Sequence, residues 1–242
     1  MKNGSLASWN PLSYCYSTGN LDPKGSRNFV SFVGNHGTNV NFKGAHFVRL
    51  RSLRCNLEGI DFEERKSPSE IANLLDCTSW SGAGRGLMDA VTKGALQAGK
   101  PVGGFKIAKE AGEWVATNLH PYLQTENYLT CRFFSARKHG LADAAVRATS
   151  SDRTAVVALP GGIGTLDEVF EILTLIQLER IGSRFPVPFL LMNYDSFYSK
   201  LLDFLSNCEG RGTISHGEIE QLWKVCSNNS DALSYLAEFY GL

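Results

Sequence analysis

No window of the 242-residue chain approaches the roughly 18–20 uninterrupted apolar residues that a membrane helix needs, so the sequence contains no span. Its opening stretch, MKNGSLASWNPLSYCYS, has no apolar core of the kind a secretory signal carries. Cysteine pairs are missing too. Cys15, Cys55, Cys77, Cys131, Cys208 and Cys226 lie far apart, with no CxxC and no Cys/His cluster at ligand spacing. That leaves no metal site. A chain of this length buries a core without covalent staples, so the six are expected as reduced thiols in an intracellular protein. Apolar residues at 43% and charged residues at 20% exclude a disordered or collagen-like chain.

Net charge is also absent overall, but not locally. Residues 1–57 carry seven Lys/Arg and one acid, Asp22, whereas 58–242 carry 17 Lys/Arg and 23 acids. A basic, acid-poor leader is the composition of a plastid or mitochondrial transit peptide, and equally of a loose basic arm on a cytoplasmic protein. Scattered basic residues on an acidic body argue against a nucleic-acid partner. The expected organisation is a basic, poorly patterned segment over 1–60 and a single domain over 61–242.

The pattern sharpens along the chain. Two short stretches near the start, 28–34 (NFVSFVG) and 45–50 (AHFVRL), have strand character. Ser69 opens a helix candidate, and LMDAVTKGALQA after Gly86 repeats apolar residues at helical spacing until Gly99. Residues 101–107 read as a strand, 110–131 as an irregular excursion over a site, and 132–149 as a helix. Thr154 to Leu159 is a continuous apolar run, as expected of a strand buried on both faces. A glycine turn and an amphipathic helix to about Ile181 follow it. A strand at 187–192, a helix at 195–206, a strand near 222–226 and a helix at 230–240 continue the alternation. The implied class is α/β, doubly wound, with a mostly parallel sheet covered on both faces.

Two glycine turns follow strands or helices in positions that matter. Gly82-Ala-Gly84-Arg-Gly86 precedes the first long helix. Pro160-Gly161-Gly162-Ile163-Gly164-Thr165 precedes the amphipathic helix that runs to about Ile181. Glycine permits positive φ and lets backbone N–H groups approach an anion, and the helix behind adds positive potential. A dinucleotide dehydrogenase is disfavoured. Its fingerprint is GxGxxG with an acid about 20 residues on, whereas here the first turn is GxGxG. No Walker lysine follows either turn, which excludes a P-loop nucleotidase. Asp167 and Glu168 fall in the first turn of the helix behind the Pro160–Thr165 turn. They would complement its dipole, and would also stand close to the sugar of a bound nucleotide. Arg137-Lys138 in FFSARKH is either a solvated basic pair or part of a site.

These pieces together resemble the LONELY GUY family, long labelled possible lysine decarboxylases. The matching stretches are Gly82-Ala-Gly84-Arg-Gly86-Leu-Met88-Asp-Ala90, Phe133-Phe-Ser-Ala-Arg137-Lys138, and Pro160-Gly-Gly-Ile-Gly-Thr165-Leu-Asp-Glu168. The last is the family's PGGxGTxxE signature, and the resemblance covers about residues 69–242. It implies a Rossmann-like, usually homodimeric protein without metal or cofactor. Such a protein hydrolyses the N-glycosidic bond of nucleoside 5′-monophosphates; in plants it converts cytokinin riboside monophosphates to free base and ribose 5-phosphate. By the same resemblance Arg137 and Glu168 would be catalytic. Gly161, Gly162, Gly164 and Thr165 would hold phosphate, and Lys138, Gly82, Gly84, Met88 and Glu113 would lie along the nucleotide. In that scheme Glu168 stabilises positive charge at C1′ and orients water, while Arg137, protonated at any working pH, stabilises the departing base.

The decarboxylase label itself finds little support in the residues. Pyridoxal chemistry needs a lysine in an apolar setting, and Lys93, Lys106, Lys109 and Lys138 have polar or charged neighbours. The sequence departs from the family twice. Between Arg65 and Ser81 there is no strand ending in the family's Gly-Ser element, and Ala83 stands in a run of glycines. Either 28–34 fills the vacant strand position, or the domain lacks its first strand and is inactive, at most a non-catalytic nucleotide-binding module.

Overall fold

The computed structural model describes residues 28–33, 67–84, 86–107, 123, 127–131 and 133–242. The candidate strand at 45–50 lies outside them, as do Glu113 and most of the 110–131 excursion. In chain order the elements are β1 (Asn28–Val33), α1 (Ser67–Leu75), β2 (Thr78–Ser81), α2 (Leu87–Gln97), β3 (Val102–Ile107) and β4 (Tyr128–Cys131). There follow α3 (Phe134–Ala145), β5 (Arg153–Ala158), α4 (Ile163–Gln177), β6 (Phe189–Met192), α5 (Ser199–Gly210), α6 (Glu218–Leu222), β7 (Lys224–Cys226) and α7 (Asn229–Tyr240). The strands form one seven-stranded sheet in the order β4-β3-β2-β1-β5-β6-β7, and every pairing is parallel.

The N-terminal segment needs correction first. β1 is the middle strand of the sheet: Phe29 pairs with Thr78 of β2 on one side and with Thr154 of β5 on the other. The first strand is therefore not missing, and a boundary near residue 60 would cut through the sheet. Of the two outcomes left open by the departure from the family pattern, the structure takes the first: 28–33 fills the vacant strand position, although a long interval separates it from α1 where the family's strand lies immediately upstream of that helix. A central strand is recruited by its two open neighbouring edges, at whatever distance along the chain it lies.

β2 and β4 were not anticipated as strands. β2 buries Ser79 and Ser81 where a core strand would carry valine or isoleucine, so its apolar pattern is faint. β4 is an edge strand, as β7 is on the other side, and it lies in the stretch expected to be irregular throughout.

β5 shows why the fold is doubly wound. Ala155, Val157 and Leu159 join a core built from Ile71 and Leu75 of α1, Val91 and Ala95 of α2, and Ala232 and Leu236 of α7. Val156 and Ala158 point the other way, into a core with Ala142 and Ala145 of α3, Val169, Ile172 and Leu173 of α4, and Leu205 of α5. Alternate residues of one fully buried strand serve two helix layers, so an uninterrupted apolar run is required. The chain winds outward from β1 to β4, then returns to β5 on the other side of β1. That reversal opens a crevice at the carboxyl ends of β1 and β5, where open α/β sheets bind their ligands.

Candidate active site at the sheet switch point

The turn after β5 delivers Leu159 to Gly162 into this crevice, and Gly162 is the N-cap of α4. The first backbone bond closing the helix runs from Leu166 N–H to Gly162 O at 3.0 Å. The amides of Ile163, Gly164 and Thr165 precede it, without acceptors inside the helix. Ile163 is 83% exposed, so this end of α4 opens to solvent. Thr165 is the opposite: it is buried, and its Oγ1 has no hydrogen-bond partner among the described residues. Gly161 lies directly against it, since a Cβ there would sit 2.0 Å from Thr165 Oγ1. None of Gly161, Gly162 and Gly164 has positive φ. The glycines of this turn serve close approach, and the left-handed conformation expected of them is not used.

One turn along α4, Glu168 points into the protein and is 2% exposed. It meets Arg137, on the first turn of α3 and 5% exposed. Arg137 Nε donates to Glu168 Oε1 at 2.8 Å, and Nη2 donates to the same oxygen. The guanidinium also lies over the Phe134 ring, 4.8 Å from its centroid. Burial raises the Glu168 carboxyl to about pH 7, and the Arg137 charge only partly opposes that. The sequence reading gave the two side chains separate stations; the structure joins them in one buried ion pair.

The first glycine turn closes over this pair. A Cβ on Gly82 would meet Met88 Sδ at 2.7 Å and Arg137 Cζ at 2.9 Å. Gly82 is thus the space that Arg137 occupies, and Met88, 2% exposed, is its neighbour on α2. Gly84 is buried beside it. Ala83 has φ 52°, a left-handed conformation that a methyl group strains, and Ser81 Oγ accepts its N–H at 3.1 Å.

Lys138 turns away from Arg137. It reaches Asp167 Oδ2 at 2.9 Å and Glu171 Oε2 at 2.5 Å on the outer side of α4, bordering an open hollow with Phe170, Thr174 and Leu175. Desolvation pulls its pKa down, but hydrogen bonds and charge from Glu171 and Asp167 prevail and hold it above the ordinary lysine value. Of the expected site residues, the structure thus gathers Gly82, Gly84, Met88, Arg137 and Glu168 around one buried pair. Gly161, Gly162, Gly164 and Thr165 form the adjoining turn, and Lys138 stands outside. Tyr198, whose hydroxyl reaches the same turn, carries no motif; in sequence it is one aromatic among several at the start of the helix expected over 195–206.

A family model described as "Possible lysine decarboxylase" matches residues 88–236, more than half of the chain. The chain belongs to this family. Related proteins carry a different activity in their names. "Probable cytokinin riboside 5'-monophosphate phosphoribohydrolase LOGL5" of Oryza sativa subsp. japonica is 42% identical over 85 residues, 35% of this chain and 32% of that protein. "Cytokinin riboside 5'-monophosphate phosphoribohydrolase" of Rhodococcoides fascians is 30% identical over 141 residues, 56% of this chain and 61% of that one. The matches therefore span from about a third to three-fifths of these relatives. Among solved structures, the molybdenum cofactor carrier protein of Chlamydomonas reinhardtii superposes with TM-score 0.53 at 16% identity, covering 89% of this chain and 99% of that one. The structural-genomics target TM1055 gives TM-score 0.52 at 18% identity, covering 87% and 99%. Both share the Rossmann-like fold.

The family's label finds no lysine suited to it among the described residues. Lys93 is paired with Asp89 at 2.7 Å, and Lys138 is held charged by two carboxylates. Lys106 is half-buried at the end of β3, and Lys109 lies outside the described residues. A Schiff-base lysine needs the reverse, a desolvated amine of lowered pKa.

Proposed function

We propose that the chain hydrolyses the N-glycosidic bond of nucleoside 5′-monophosphates, cytokinin riboside monophosphates among them, to free base and ribose 5-phosphate. The observation that carries this is one helix presenting two chemistries three residues apart. At its open N-terminus are free amides and an unpartnered Thr165 hydroxyl; about 5 Å further along the axis is the buried carboxylate of Glu168. A phosphate at the turn takes the amide bonds and the helix field, and gives the Thr165 hydroxyl an acceptor. Binding energy from that end then holds C1′ against the carboxylate.

In the step itself, a water oxygen bonds to C1′ as the C1′–N bond breaks. The bonding pair leaves with the base nitrogen, and the proton given up by water ends on the base. Glu168, ionised, faces the positive charge growing at C1′ and orients the water. Arg137 fixes that carboxylate by two donors on one oxygen, leaving Oε2 outside the bidentate contact. The remaining nitrogen, Nη1, lies against Gly82.

The alternative, a non-catalytic binding module, rested on a missing first strand, and β1 occupies that position. The same family resemblance supports a homodimer. Ile163, Phe170 and Leu178 recur on one side of α4, at 83%, 38% and 61% exposure, a face suited to a second copy. The deciding experiment is a product assay on a panel of nucleosides and their 5′-monophosphates, with ribose 5-phosphate as competitor. Base release from monophosphates, at least tenfold faster than from nucleosides and inhibited by ribose 5-phosphate, is the expected result. Equal turnover of both would remove the phosphate from the reading; no release from any would remove the hydrolase.

A further inference from the structure

The turn that opens onto solvent at α4 needs something to hold its shape, since its glycines impose none. Tyr198, 2% exposed, approaches it from the connection between β6 and α5. Its hydroxyl donates to Leu159 O at 2.6 Å, at the last residue before Pro160. Burial holds the phenol well above its ordinary pKa, the nearby Gly161 N–H opposing this only in part, so the hydroxyl stays protonated and able to donate. From the sheet side it thereby ties down the carbonyl that leads into Pro160 and the glycines behind it.

The chain goes to some expense to bring that hydroxyl there. Asn193, at the end of β6, accepts the Tyr198 N–H on Oδ1 at 2.7 Å, and its own N–H is bound to Cys226 O at 2.8 Å. Between Asn193 and Tyr198, two successive non-glycine residues, Asp195 and Ser196, have φ of 48° and 60°. Such conformations persist only where the surroundings overdetermine them. β5 also carries a built-in comparison at its other end. Tyr240 donates to Thr154 O at 2.5 Å and accepts the Thr154 N–H at 3.0 Å. A tyrosine hydroxyl thus donates to the backbone at either end of this strand, once far from the crevice and once at its mouth, just past Ala158.

We propose that Tyr198 is a positioning residue for the anion-binding turn, its hydroxyl fixing the Leu159–Gly161 backbone so that the amides at the start of α4 converge on a phosphate. The substrate side of this rests on the function proposed above, whereas the clamp itself does not. The experiment has two readouts on the full chain, with Tyr198→Phe as the variant and Tyr240→Phe as the control. In hydrogen exchange without ligand, Tyr198→Phe speeds exchange of the amides at 161–165 and Tyr240→Phe leaves them unchanged. In titration with ribose 5-phosphate, Tyr198→Phe weakens binding about three- to tenfold, the range one buried hydrogen bond carries, and Tyr240→Phe does not. With monophosphates as substrates the loss appears in KM, and slow turnover of unphosphorylated nucleosides is untouched. Unchanged exchange in a cooperatively melting Tyr198→Phe chain overturns the clamp. Faster exchange with unchanged ribose 5-phosphate affinity overturns its role in anion binding. Failure of the parent chain to bind ribose 5-phosphate, with exchange still altered, overturns the phosphate reading of the turn and leaves the clamp standing. If Tyr198→Phe does not fold, Asn193→Ala, which frees the Tyr198 backbone but keeps the hydroxyl, is read by the same two criteria.

Discussion

The two glycine turns are alike in sequence and unlike in use. The first, between β2 and α2, is closed: Gly82, Ala83 and Gly84 are all buried, and the space left by the absent Gly82 side chain is filled by the Arg137 guanidinium and Met88. It uses left-handed backbone at Ala83 and at Gly86, φ 76°. The second, between β5 and α4, is open. It has no left-handed residue, and its amides face solvent above the buried Thr165. One turn therefore shapes the buried Arg137–Glu168 pair, and the other presents the open amides at the start of α4. Glycine richness alone distinguishes neither, because a missing Cβ can admit a neighbouring side chain as readily as a ligand.

The largest effect should come from the residue that links the two turns. Glu168→Gln keeps an acceptor for Arg137 and nearly the same volume while removing the charge. Base release is expected to fall roughly 10²-fold or more, with little change in melting temperature. A loss of stability with the rate retained would leave Glu168 as a structural partner of Arg137.

Alanine at the two turns separates their functions. Gly82→Ala drives a methyl into Arg137 and Met88, so kcat should drop about tenfold or more while ribose 5-phosphate affinity holds. Gly161→Ala places its Cβ 2.0 Å from Thr165 Oγ1 and 2.5 Å from Thr165 Cβ, so the second turn must shift. There the affinity for ribose 5-phosphate should be lost first. Matching profiles for the two variants in a steady-state and binding comparison would erase the distinction between the turns.

The pair also sets a pH signature. Glu168 titrates at about 7 in the folded chain against an ordinary glutamate value of 4.5, because burial disfavours its charged form. The folded state thus holds this proton more tightly. Its contribution to stability is fully present below pH 4.5 and is lost as pH rises through 7. Base release, which needs the carboxylate, should rise over the same final stretch. Rate and melting profiles of the parent chain and of Glu168→Gln test this: in the variant both limbs should flatten.

The smallest effect is expected at Ala83. Its methyl occupies left-handed backbone in the closed turn, so Ala83→Gly should raise stability by no more than about 1 kcal/mol, relieved strain being partly offset by the freer unfolded chain. Thermal melting reads this directly; a clear loss of stability would mean that the methyl contributes more through packing than its backbone strain costs.

Legibility followed the range of the interaction. β5, its turn and α4 could be read from residues 154–177 because a strand buried on both faces, a glycine turn and an apolar stripe are all local patterns. β2 escaped notice because Ser79 and Ser81 are buried where apolar residues were sought. The site's residue types could be listed from motifs, but not their contacts: Lys138 adjoins Arg137 in sequence and turns to Asp167 and Glu171 instead.

Local residue patterns alone dictate the α/β alternation, the turn that exposes the amides of α4, and the placing of Thr165 and Glu168 on one helix. Each depends on neighbours within a few residues, where backbone periodicity dictates geometry. It takes the folded chain to choose the centre of the sheet for β1, to join Arg137 and Glu168 in a buried bond, and to bring the Tyr198 hydroxyl to the turn. Those contacts join elements distant along the chain, and they form when strand edges pair and polar groups excluded from water must find partners.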